Sequence, residues 1–147
     1  MPLLFDSSRP ASHFGRYDIA MAQPLAVISH KDGVTKVEQN NTLIQTEIDP
    51  FDLIGKLQSE LLTDTSQLSA AKDLPFTGGA AGLFGFDLGR SIETLPTTAA
   101  ADIAMEDLCI GIYPWAIIND HELQKSYLVS QLDDKSTQAL VGLILQV

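Results

Sequence analysis

The sequence predicts an α+β domain built on a mostly antiparallel β-sheet, and three observations predict it. Extended apolar stretches flank an Asp32-Gly33 turn signal, the period of apolar residues turns helical between residues 48 and 64, and strand-like runs return before a last amphipathic tail. With 147 residues and 45% hydrophobic composition, the chain has material for one domain with a core.

Residues 18–30, "DIAMAQPLAVISH", read as an extended segment interrupted at Pro24, which removes one ladder donor and favours an edge or a bulge. In "HKDGVTKVEQ", Asp32 and Gly33 between apolar stretches predict a tight hairpin with glycine at positive φ. The clearest helix is "IDPFDLIGKLQSELLTD", where Phe51, Ile54, Leu57, Leu61 and Leu62 recur at helical spacing behind Asp49 as N-cap and Pro50 at the first position.

Five of the ten glycines then fall in "LPFTGGAAGLFGFDLGR", at Gly78, Gly79, Gly82, Gly85 and Gly89. A phosphate loop would need a Gly-Lys-Ser/Thr ending or a G-x-G-x-x-G opening a helix, and neither is there. A flexible linker would leave Leu83, Phe84 and Phe86 in water. The window is expected to be a strand, roughly Ala80 to Asp87, whose glycines admit a bulge or the close approach of another element. That neighbour could be an aromatic side chain, another strand or a partner lobe outside this chain.

Downstream, "IAMEDLCIGIYPWAIINDHELQKSYLVSQL" is expected to form two strands with a turn near Asn119 to Glu122. The first has apolar residues on both faces, as in a covered central strand. "KSTQALVGLILQV" begins a last helix with a Ser or Thr cap, and it stops at Val147 without a C-cap glycine, as a longer sequence cut there would.

Composition excludes several classes. A formal charge of −10 repels polyphosphate and anionic lipid, so neither nucleic acid nor a membrane is expected as a partner. The single cysteine, Cys109, forms no internal disulfide and is expected in the core. No run approaches the ~20 apolar residues of a membrane span and the start lacks a signal-peptide pattern, which makes a cytoplasmic location the expectation. The histidines His13, His30 and His121 lack metal-ligand spacing, and no nucleophile elbow is present. Catalytic, cofactor and metal residues are therefore not expected in this chain. The carboxylates Asp18, Asp87, Glu93, Asp102, Glu106 and Asp107 could meet in space. Better ligand material lies in "HFGRYDI": Arg16 can hold a carboxylate with two fixed donors, and Phe14 and Tyr17 can flank a flat ligand, with hydroxyls from Ser7 or Ser8 nearby.

"LPFTGGAAGLFGFDLGR", "GRYDIAMAQP" and "GIYPWAIINDH" together resemble, in order and spacing, the N-terminal lobe of para-aminobenzoate (aminodeoxychorismate) synthase component I, within the anthranilate synthase component I-like family. Asp18-Ile19 and Pro24 look more like the aminodeoxychorismate branch than the anthranilate one. The resemblance implies one lobe of a two-lobed chorismate-utilising α/β complex fold, with residues 1–147 an N-terminal domain cut at both ends and the chorismate-binding domain absent. It implies that the full-length protein aminates chorismate to 4-amino-4-deoxychorismate for folate synthesis, using Mg2+ bound in the missing domain and ammonia from a glutamine amidotransferase partner. This chain's own C-terminal domain would be its other partner. The resemblance further implies a tryptophan pocket to which Ser7, Phe14, Arg16 and Tyr17 contribute. The anthranilate synthase lobe and a stand-alone aromatic amino-acid-binding or interaction domain are the alternatives.

Overall fold

The structure, a computed structural model, describes residues 1–8, 15–65, 73–94 and 105–146. In chain order the elements are β1 (Leu3–Phe5), β2 (Tyr17–Met21), β3 (Ala26–Lys31), β4 (Val34–Gln39), β5 (Thr42–Thr46) and helix α1 (Pro50–Leu61). They continue with β6 (Gly79–Phe84), a 3-10 helix (Phe86–Ser91), β7 (Leu108–Tyr113), β8 (Trp115–Asp120), β9 (Lys125–Ser130) and helix α2 (Asp134–Ile144). The α+β class and the antiparallel pairing are as the sequence predicts. The strands, however, divide between a four-stranded sheet, β1-β2-β8-β9, and a five-stranded sheet, β5-β4-β3-β7-β6. The chain likewise divides into two compact units, one of Met1–Gln23, Leu62–Gly79 and Tyr113–Val147, the other of Pro24–Leu61 and Ala80–Ile112.

The second unit is organised by turn chemistry. Asp32 and Gly33 take φ of 49° and 77° between the paired Lys31 and Val34, the left-handed geometry that matches strand twist in a two-residue hairpin. Asn40 and Asn41 repeat the device, with φ of 51° and 59° between Gln39 and Thr42. Sequence reasoning passed over this second hairpin and its strand β5, although asparagine tolerates the left-handed region better than most residues. The register puts Ile28 opposite Val37 and Ile110, and His30 opposite Thr35 and Leu108, all buried. Helix α1 packs against β3 and buries Leu53 and Leu57. Asp49 caps it as expected, its Oδ1 accepting the N–H of Phe51 at 2.8 Å and of Asp52 at 3.3 Å.

A buried polar pair sits within this apolar layer. The Thr35 hydroxyl donates to the Ile48 carbonyl at 3.1 Å, and its oxygen lies 2.9 Å from His30 Nδ1. One hydroxyl proton cannot serve both contacts, so His30 Nδ1 is the donor to Thr35.

The glycine window is a packed strand, at the edge of the sheet beside β7. A Cβ on Gly82 would run into the backbone carbonyl of Cys109, which is why this position has no side chain. The strand is shorter than expected: it stops at Phe84, and Asp87 lies in the 3-10 helix. Gly85 N–H turns to the Asp107 carbonyl at 2.7 Å and ends the ladder there. Cys109 is half-buried rather than fully enclosed, and burial raises its thiol pKa.

The first unit corrects two strand assignments. The run from Leu108 to Ile118 is not one central strand, because Pro114 separates β7 from β8 and the two belong to different sheets. Proline has no N–H to continue a ladder, and here it marks the change of sheet. Pro24 marks a similar change, between β2 and β3. The turn after β8 also falls later than expected, since Asn119 and Asp120 still pair with Ser126 and Lys125. Helix α2 is capped by Asp133, not by serine or threonine: its Oδ1 accepts Ser136 N–H at 2.8 Å and its Oδ2 the Ser136 hydroxyl at 2.9 Å. Gln131 ties the connections together, accepting Thr63 N–H at 2.8 Å and donating to the Thr77 carbonyl at 2.7 Å.

Candidate functional site

Strand β2 pairs with β8 so that Tyr17 lies opposite Asp120 and Asp18 opposite Asn119. This register brings the start of β2 beside the end of β8. The Arg16 guanidinium engages the buried Asp120 carboxylate through Nε at 3.2 and 3.3 Å and Nη2 at 2.9 Å, with Glu122 Oε2 3.4 Å from Nε. Asp120 Oδ1 also accepts the N–H groups of Glu122 at 2.9 Å and Leu123 at 3.0 Å, closing the turn that follows β8. The Arg16 hydrogen bonds, outweighing burial and aided by the two turn N–H groups, lower the Asp120 pKa to about 2. The same pairing raises the Arg16 pKa.

Ser7 makes a second carboxylate site. Its N–H and its hydroxyl both donate to Asp18 Oδ1 at 2.9 Å, and His121 Nε2 stands 2.7 Å from Asp18 Oδ2. The Ser7 backbone N–H, then its hydroxyl, hold the Asp18 pKa below the usual carboxylate range. The backbone of Ser7 lies close enough to Gly15 that a Cβ there would stand 2.5 Å from the Ser7 carbonyl. The Arg16 guanidinium carbon sits 4.7 Å from the centroid of the Tyr17 ring, a cation–π arrangement, and the Tyr17 hydroxyl donates to the Asp73 carbonyl at 3.3 Å.

Of the expected pocket residues, Ser7, Arg16 and Tyr17 thus fall at the start of β2 and the segment beside it, while Phe14 lies outside the described residues. The donors of Ser7 and Arg16 are turned to the chain's own carboxylates, Asp18 and Asp120. Sequence reasoning missed Asp120 and His121 as the partners. Their one local signal is "NDHE" after an apolar strand, an aspartate placed to accept the N–H groups of its own turn. Among the described residues no group of three or more His, Cys, Asp or Glu side chains is placed to hold a metal ion, and no helix is long and apolar enough to cross a membrane. His13 and Asp102, considered for such roles, lie outside the described residues.

Comparison with known proteins agrees with the motif resemblance. No family model matches the chain. Aminodeoxychorismate synthase component 1 of Salmonella typhimurium is 40% identical over 131 residues, 89% of this chain, and the Escherichia coli protein of the same name is 36% identical over 137 residues, 93% of this chain. Anthranilate synthase alpha subunit 1 of Arabidopsis thaliana is 32% identical over 86% of the chain. Anthranilate synthase component I from Streptococcus pneumoniae superposes with a TM-score of 0.70 over 92% of this chain at 21% identity, which establishes the shared fold. The fold is that of anthranilate synthase component I. In sequence the chain is a homologue of aminodeoxychorismate synthase component 1, matching 28% of the Salmonella and 30% of the Escherichia coli protein's length.

Proposed function

We propose that this chain is the non-catalytic N-terminal portion of an aminodeoxychorismate synthase component I, whose complete form aminates chorismate to 4-amino-4-deoxychorismate in folate biosynthesis in the cytoplasm. The observation that carries the reading is the 36–40% identity to the Salmonella typhimurium, Klebsiella aerogenes and Escherichia coli proteins of that name, against 27–32% for the anthranilate synthase relatives, although the Bacillus subtilis aminodeoxychorismate synthase component 1 is itself 27% identical. In this reading chorismate and Mg2+ are held by a C-terminal domain outside this chain, and a glutamine amidotransferase component supplies ammonia. No residue of this chain is assigned to the metal. Ser7, Arg16 and Tyr17 border an amino-acid pocket in which Arg16 exchanges Asp120 for the carboxylate of tryptophan and Tyr17 lies against the indole.

The test is to carry the reading frame past both ends of the sequence and assay the longer polypeptide with chorismate, ammonia and Mg2+. Formation of 4-amino-4-deoxychorismate supports the reading. Formation of anthranilate assigns the chain to the sister enzyme instead.

A further inference from the structure

We propose that two copies of this chain pair edge to edge through β5, joining their five-stranded sheets into one continuous sheet about a two-fold axis. β5 is the outer strand of its sheet, and among the described residues its only ladder is to β4. The two-residue Asn40-Asn41 turn makes Gln39 and Thr42 a hydrogen-bonded pair, and the alternation of an antiparallel ladder then points the N–H and C=O groups of Thr42, Ile44 and Thr46 at β4. Those of Leu43 and Gln45 point outward. An edge of this kind is a template for another strand.

The side chains say which strand. The registers of β7 with β3, β3 with β4 and β4 with β5 set Ile110, Ile28, Val37 and Ile44 side by side in one row across the sheet. Ile110 and Ile28 are fully buried and Val37 is 8% exposed, whereas Ile44, at the open end, is 57% exposed. A core row thus runs out of the sheet edge unfinished. A second copy, related by a two-fold axis between the two Ile44 residues, supplies the same row in reverse: its own Ile44, then its Val37, Ile28 and Ile110. In that register Leu43 stands opposite Gln45 of the other copy, so the outward groups of both residues meet as hydrogen-bonded pairs that each exchange both bonds.

Charge and the other edges favour the same choice. β5, "TLIQT", has no charged side chain, so two molecules of net charge −10 approach here along a neutral strip. It pairs with β4 residue for residue from Thr42 to Thr46, with neither a bulge nor a proline to turn the edge away. The remaining sheet edges are blunted: β1 has three residues, β9 carries Lys125, and β6 contains Gly79 and Gly82, which weaken a strand. The pairing uses the strand edge alone and does not depend on the function proposed for the chain.

Analytical ultracentrifugation of this chain over a wide range of concentration tests the pairing. The sedimentation coefficient should rise toward that of a dimer, and amide exchange at Leu43 and Gln45 should slow as it does, while Ile44 and Thr46, already bonded to β4, change little. Gln45→Pro removes an outward N–H but no bond to β4, so it should abolish the dimer and leave the dilute monomer folded. Ile44→Lys and Ile44→Glu each set like charges opposite one another across the axis and should weaken association about tenfold or more. An equimolar mixture of these two variants should recover it, and that mixture decides even where Gln45→Pro unfolds the chain. A chain that stays monomeric at every concentration, a dimer that survives both Ile44 substitutions, or a mixture that associates no better than either variant alone would each overturn the β5 pairing.

Discussion

Arg16 and Asp120, 104 residues apart in sequence, meet as a guanidinium and a buried carboxylate joined through Nε and Nη2. The pair locks the start of β2 to the end of β8 at the point where Asp120 also closes the following turn. Asp120→Asn keeps an oxygen for the two turn N–H groups but removes the charge that Arg16 requires, whereas Asp120→Ala removes both. The expected order of denaturation midpoints is wild type, then Asp120→Asn, then Asp120→Ala. Equal midpoints for the two variants would show that the turn N–H groups contribute nothing to stability.

Acid should weaken the same unit. Asp120 falls to about 2 and Asp18 is also lowered, so both carboxylates bind protons more readily in the unfolded chain than in the folded one. Their contribution is fully present above the ordinary aspartate range near ~3.9 and is lost as pH falls through the folded values, for Asp120 near 2. Urea unfolding at pH 7, 4 and 2.5 should show little change over the first interval and a clear loss over the second. In Asp120→Asn the loss should be smaller, because one of the titrating groups is gone while Asp18 and Asp133, also lowered, remain.

Gly82 faces the Cys109 backbone rather than a movable side chain, so a methyl group there cannot be accommodated by a rotamer change. Gly82→Ala should destabilise the protein by ~1–3 kcal/mol, the ordinary cost of overpacking. Denaturant titration reads it directly. A stability equal to wild type would mean that β6 and β7 separate easily.

What was legible in the sequence was local. Asp32-Gly33, Asp49-Pro50 and the run of glycines each act on their own neighbours, and they mark a turn, a helix start and a strand where the structure has them. The end of β6 was overrun because Phe86 and Asp87 continue the strand pattern, while the stop is set by a backbone bond from Gly85 to Asp107, far along the chain. Pro114 was read within a continuous apolar run because both sides of it are buried; which sheet each side joins depends on distant partners, β3 for one and β2 for the other. The site shows the same divide. Ser7, Arg16 and Tyr17 were singled out for their chemistry, but Asp120 and His121, which receive that chemistry, are brought in by register and leave almost no local mark.

This chain alone, supplied with chorismate, ammonia and Mg2+, is expected to give no turnover, since the proposed reading puts the reacting atoms in another domain. Product separation by chromatography would measure it. Chorismate loss that rises in proportion to this purified chain would mean that catalytic groups lie within it.

Tryptophan binding tests the remaining residues, and the Arg16 pairing sets the expected signs. A ligand carboxylate that uses Arg16 must displace Asp120, and the buried Asp120 must then rely on its two turn N–H groups alone. Wild-type binding should therefore be weak in this chain. Asp120→Asn loosens the hold on Arg16 without removing the turn acceptor, so it should tighten binding severalfold, whereas Arg16→Ala should reduce binding about tenfold or more by removing the paired donors. Ser7→Ala should have a smaller effect, because the hydroxyl is already given to Asp18 and its loss leaves the Ser7 N–H in place. Isothermal titration of tryptophan into this chain, the longer polypeptide and these variants would show the pattern. If Asp120→Asn and Arg16→Ala bind tryptophan alike, Arg16 is a structural partner of Asp120 and holds no ligand.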